Sequence, residues 1–97
     1  MLKQVFLLFS NEVMLEDERR MKLDYSLTEK YSENDQTEPY YGIQIAKHLG
    51  DNVETEEITG ISYSRDTVVS IIKKLLRHEV TPISMVEIVD GLITEGV

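Results

Sequence analysis

Between Met21 and Thr28 the chain alternates. Met21, Leu23, Tyr25 and Leu27 are apolar or aromatic, whereas Lys22, Asp24, Ser26 and Thr28 are polar. Successive side chains of an extended strand point to opposite sides, so this period of two predicts a strand with one buried and one wet face. Tyr31 continues the odd register beyond Glu29, and the polar run Ser32-Glu33-Asn34-Asp35-Gln36-Thr37-Glu38-Pro39 then supplies a turn. Tyr41, Ile43 and Ile45 share the next apolar face. Gly42 among them predicts close packing by a neighbour or a local bulge. Leu49-Gly50-Asp51-Asn52 marks another turn, and residues 53–58 read as a Glu-rich strand at a sheet edge, where charge discourages unwanted pairing. Short turns between consecutive strands favour an antiparallel meander.

The first segment supports two readings. Residues 5–9 are apolar on both faces, which suits a central strand covered on two sides. Leu2, Val5, Phe6, Phe9 and Val13 also fit a helical stripe. The β-branched and aromatic content, with Ser10-Asn11 as a turn, favours the strand. Such a strand, left unpaired in the monomer, is where a partner or a second copy would add on.

Beyond Ser62 the period changes. Val68, Val69, Ile72, Leu75 and Leu76 recur at helical spacing, with Lys73, Lys74 and Arg77 on the other side. Ser64 is placed as N-cap, Asp66 complements the positive end of the helix, and Lys73, Lys74, Arg77 and His78 gather at the negative end. Thr81-Pro82 starts a second helix, with Ser84-x-x-Glu87 as a competing capping box. Met85, Ile88, Val89 and Leu92 form its stripe, widened by Val86 and Ile93, and its few charges predict a helix covered over most of its length. Gly91 weakens it, and Gly96 is placed to end it. The expected fold class is therefore α+β: an antiparallel three- or four-stranded meander over residues 1–62, then a helical hairpin over 64–95 packed on one face. The 97 residues form a single domain on this reading.

Composition narrows the function classes. The chain has no cysteine, which removes disulfides, thiolate zinc sites and cysteine nucleophiles and fits a reducing cytoplasm. The apolar run at residues 5–9 is shorter than the ~7–15 residues of a signal-peptide core, and no run approaches the ~18 of a membrane span. The formal net charge is −8. Nucleic-acid binding draws on a basic face, but Arg19, Arg20 and Lys22 directly follow Glu16-Asp17-Glu18, and the second helix carries no Lys or Arg. A helix-turn-helix reading therefore fails, and neither nucleic acid nor membrane is an expected partner.

Candidate chemistry is sparse. His48 and His78 lie in no His-x-x-x-His or Glu-x-x-His spacing, and His48 reads as an exposed residue beside a turn. Residues 33–36 lack the ligand alternation and glycine of a calcium loop. Ser62, Ser64, Ser70 and Ser84 lack nucleophile-elbow glycines, and no phosphate-binding glycine motif occurs. No catalytic residue, metal ligand or cofactor site is expected. The five tyrosines, Tyr25, Tyr31, Tyr40, Tyr41 and Tyr63, are many for so short a chain. Tyrosine suits interfaces because it joins an apolar body to a polar tip, and Tyr40 and Tyr63 are the candidate interface residues.

Several segments together resemble a small uncharacterised family of clostridia and related bacteria. They are Tyr41-Gly42-Ile43-Gln44-Ile45, Ile58-Thr59-Gly60-Ile61-Ser62, the apolar stripe from Val68 to Leu76, Val80-Thr81-Pro82-Ile83-Ser84, and Val86-x-x-Val89-x-x-x-Ile93. Asp90-Gly91-Leu92 departs from that family's pattern. The resemblance implies a bacterial, cytoplasmic, stand-alone domain and carries no activity or site residue. The expected function is a non-enzymatic protein-interaction or regulatory module, acting on a protein partner or by self-association as a homodimer. The alternative is a small-ligand-binding domain with a pocket between helices and sheet.

Overall fold

The computed structural model describes residues 3–31 and 38–94. Four strands, β1 (Lys3–Met14), β2 (Arg20–Lys30), β3 (Tyr40–Leu49) and β4 (Asn52–Ser62), precede two helices, α1 (Arg65–Arg77) and α2 (Pro82–Thr94). The strands pair in chain order, each antiparallel to the next. This is the expected meander, with β4 as the Glu-rich edge. The turn assigned to residues 32–39 and the Gly96 helix stop lie largely or wholly outside the described residues.

β1 is a strand, but it sits at the other edge of the sheet rather than in the centre. Nor does it turn at Ser10-Asn11: pairing with β2 continues through both to Met14. A bulge at Leu8 interrupts the register instead, so that Leu7 faces Ser26 and Phe9 faces Tyr25. The extra residue shifts side-chain direction by one position. Phe6 and Phe9, three apart, therefore both point toward the helices, and the segment reads as apolar on both faces without being central.

The true β1–β2 turn uses Glu16-Asp17-Glu18. Leu15 N–H donates to the Arg19 carbonyl at 2.8 Å, and Glu18 takes a left-handed conformation at φ 69°. Asp17 completes the loop by accepting from the Arg19 backbone N–H and Nε, at 3.2 and 2.6 Å. The backbone and side-chain bonds to Arg19 both lower the pKa of Asp17. The β3–β4 hairpin turns on Gly50-Asp51. Only the first of the pair has positive φ, at 60°, the signature of a type II′ turn with glycine leading.

Leu23, Tyr25, Leu27, Ile43 and Ile45 form the floor of the core, and Val68, Ile71, Ile72, Leu75, Val80, Met85 and Val89 its roof. Ile71 is a core residue that the helical stripe read from sequence omitted. Ser64 caps α1 as expected, its hydroxyl accepting from Thr67 N–H at 3.3 Å. The other end closes with Glu79 in the left-handed region at φ 52°. There Val80 N–H donates to Leu75 O at 3.0 Å and Glu79 N–H to Leu76 O at 3.1 Å, a Schellman closure in which the buried Val80 and Leu75 supply the apolar contact. The Tyr25 hydroxyl, deep in the core, donates to the Val80 carbonyl at 3.0 Å and ties this connection to the sheet. α2 begins at Pro82, so Thr81-Pro82 prevails and Ser84 lies inside the first turn.

One expectation about α2 fails. It is not covered over most of its length: Met85 and Val89 are buried, but Val86 and Ile93 are about half exposed and Ile83 is 86% exposed. A single helix laid on a sheet can bury only one stripe, and the apolar residues of α2 run most of the way round it.

Candidate functional site

The register assigns each strand residue to a face. Odd residues of β2 face the helices, and even ones face away with Lys3, Val5, Leu7, Ser10 and Glu12 of β1, Gln44, Ala46 and His48 of β3, and Val53, Thr55 and Glu57 of β4. This far face is concave. Ser26 and Thr28 are buried on it although no helix covers it. The Lys3 ammonium on one edge strand pairs with the Glu57 carboxylate on the other, which also accepts from Gln44 Nε2 at 3.4 Å. Four flat strands would separate those edges by roughly 14 Å, so the sheet must coil to bring them within reach.

Gly42 helps to set the curvature. Between the Tyr41–Ser62 and Ile43–Ile58 pairs, β4 carries more residues than β3, and its backbone folds over this glycine. A Cβ at Gly42 would lie 2.2 Å from the Ile58 carbonyl oxygen and 2.7 Å from the Thr28 hydroxyl. The sequence offered close packing or a bulge. Both are present.

A polar cluster crosses the concave face. Asp24 accepts from the Ser10 hydroxyl at 2.7 Å, and His48 Nε2 lies 3.0 Å from its other oxygen, with Lys22 Nζ at 3.9 Å. His48 stands beside the Gly50-Asp51 turn, as the sequence indicated, near the end of β3, where it is partly exposed and paired to Asp24. The residue types are those of a hydrolytic triad, but the order is not. Nucleophilic catalysis needs the imidazole between serine and carboxylate so that it can take the hydroxyl proton, whereas here the carboxylate lies between the other two. The cluster can pair three adjacent strands. Among the described residues no group of three or more His, Asp or Glu side chains converges to hold a metal ion, and no helix is long and apolar enough to cross a membrane.

Tyr40 and Tyr63, singled out in the sequence, meet at one end of the sheet with ring centroids 4.3 Å apart and planes tilted by 38°. Tyr63 is 55% exposed. Tyr31 donates to the Glu29 carboxylate, and that bond raises its pKa. The basic residues where β2 begins stand beside carboxylates: Arg19 beside Asp17 at 2.6 Å, Arg20 beside Glu12 at 3.8 Å.

The most unusual surface is β1 itself. Its outer side pairs with no strand, and residues 4–11 carry no charge in a chain of net charge −8. Leu7 is 59% exposed, Val5 45% and Phe6 41%. The opposite edge is built differently: β4 presents Glu54, Glu56 and Glu57 and is deformed at its C-terminal end. Like charges and local distortion stop a second strand from docking. One edge is guarded along its length, while the other is guarded by the Leu8 bulge alone.

A model of a family of unknown function (DUF6514) matches residues 4–95. The chain belongs to that family. No curated protein and no solved structure matches it. In this DUF6514 member the matched span starts inside β1 and runs past the last described residue of α2, so it takes in the sheet and both helices. The family label carries no chemistry.

Proposed function

We propose that this DUF6514 protein is a non-enzymatic protein-interaction or regulatory module that works through the outer edge of β1. The asymmetry between the two sheet edges carries the reading. An exposed strand offers a row of backbone donors and acceptors to an incoming strand, and flanking apolar side chains give the contact specificity. A chain with excess carboxylates that keeps them off one edge, and lines that edge with Val5, Phe6 and Leu7, has the composition of a docking strand. Tyr40 and Tyr63 offer a second aromatic contact at the end of the sheet where β1 begins.

Affinity capture with the full chain, and with a Leu7→Lys variant, tests this reading. Leu7 faces the concave side and is well exposed, so a lysine there leaves the core intact while placing charge on the docking strand. The expected result is a specific protein, either foreign or a second copy of this chain, retained by the wild type and lost by the variant. Equal capture by both proteins, or by neither, refutes the reading.

A further inference from the structure

β1 reads nearly the same in both directions about its Leu7–Leu8 bond. Going outward, Leu7, Phe6, Val5, Gln4 and Lys3 are mirrored by Leu8, Phe9, Ser10, Asn11 and Glu12. Laid antiparallel on itself, this strand would set Phe6 against Phe9, Val5 against Ser10, Gln4 against Asn11 and Lys3 against Glu12, each pair occurring twice. Aromatics meet aromatics, amides meet amides and opposite charges meet at the ends.

In a regular strand this register is forbidden. Side-chain direction and the direction of the backbone N–H and C=O groups both alternate with a period of two. Two copies related by a two-fold axis perpendicular to the sheet can then pair only residues whose numbers sum to an even value. An odd sum would oppose an up-facing residue to a down-facing one. The bulge at Leu8 lifts the prohibition. With Leu7 paired to Ser26 and Phe9 to Tyr25, each residue after Leu8 is out of phase by one with those before it. Lys3, Val5, Ser10 and Glu12 share the concave face, and Gln4, Phe6, Phe9 and Asn11 share the helix face. Each of these four pairs in the mirrored register then matches in face and in hydrogen-bond phase, and Leu7 and Leu8 meet at the bulge itself. The feature that looked like a guard on this edge opens the odd-sum registers, and among them the mirrored one sets like side chains together and opposite charges at the ends.

We infer that the occupant of the β1 edge is a second copy of this chain, joined antiparallel about a two-fold axis at Leu7–Leu8 into one continuous sheet with both helix layers on the same side. The inference rests on the docking role proposed for β1 and names its partner. Phe6, 41% exposed in the single chain, is then covered by Phe9 of the second copy. Lys3 already pairs with Glu57, and Glu12 lies 3.8 Å from Arg20, so the charged ends fix register and supply little affinity.

Sedimentation velocity across a micromolar dilution series, with circular dichroism as the control for folding, tests the dimer. The wild type should show twice the chain mass, and Leu7→Lys a single chain mass with an unchanged spectrum. Lys3→Glu and Glu12→Lys should each weaken the dimer by about tenfold, because each places like charges opposite one another twice. Mixed together, the two variants should associate more tightly than either alone, since every end pair is then complementary. A single chain mass for the wild type at all concentrations overturns the inference, as does a dimer indifferent to Leu7→Lys or a mixture no tighter than its components. A monomeric wild type that still captures a foreign protein, and loses it in Leu7→Lys, overturns self-pairing while leaving the interaction role intact.

Discussion

Tyr25 offers the sharpest test of how the helices are fastened to the sheet. Its ring is fully buried and its hydroxyl donates to the Val80 carbonyl, at the point where α1 closes and the chain turns toward α2. Burial raises its pKa from the ordinary 10.0 to about 12, with the Glu79 carboxylate adding a smaller push. Replacing Tyr25 with phenylalanine keeps the packing volume and removes only the hydroxyl. The Val80 carbonyl is then buried without this partner, and the expected loss is ~1–3 kcal/mol at neutral pH. Below pH 10 the residue is neutral in both folded and unfolded chains and adds no pH dependence. Between pH 10 and 12 the unfolded chain releases the proton while the folded chain holds it, so stability falls by ~1.4 kcal/mol per pH unit, and by ~3 kcal/mol over the interval. The phenylalanine variant lacks this slope. Urea unfolding followed by circular dichroism should show the wild type ahead at pH 8, then converging with the variant and crossing it as pH approaches 12. Parallel curves above pH 10, or equal stability at pH 8, would refute the placement of this hydroxyl.

Four further substitutions probe the backbone. Gly42→Ala should destabilise the protein by ~1–3 kcal/mol, because the added Cβ would lie 2.2 Å from backbone at Ile58; denaturant midpoints measure this. Gly91→Ala should stabilise by ~1 kcal/mol, since the new methyl meets nothing within 4 Å and alanine favours the helix; a rise in Tm is the readout. Glu79→Gly relieves a left-handed backbone at the end of α1 and should add ~0.5–1 kcal/mol. It also removes a charge that raises the folded-state pKa of Tyr25, so the alkaline limb should still begin near pH 10 but end at lower pH. Glu18→Gly acts on the left-handed position of the β1–β2 loop with a similar gain in thermal unfolding.

Much of this fold was legible in local pattern. The alternation in β2 and β3, the Gly50-Asp51 hairpin, the Ser64 cap and the Thr81-Pro82 start are each written in residues whose conformational preferences act within a few positions. What local pattern misplaced has a common cause. The β1–β2 turn escaped detection because glutamate, rather than glycine or asparagine, occupies its left-handed position at Glu18. The surrounding pairing, not the residue, imposes that conformation. The same holds for Glu79, where the buried Leu75–Val80 contact and the Tyr25 hydrogen bond hold the chain.

The sequence by itself determined the element types, their order and the acidic surface, because propensity, period and charge are properties of neighbouring residues. Only the tertiary structure decided which strand lies at the edge, that Leu8 is a bulge, and that Ile83, Val86 and Ile93 of α2 stay uncovered. Each depends on what lies across from a residue rather than beside it. A strand apolar on both faces looks central until its neighbours are counted, and a near-palindrome in β1 has no geometric meaning until the register with β2 shows which way each side chain points.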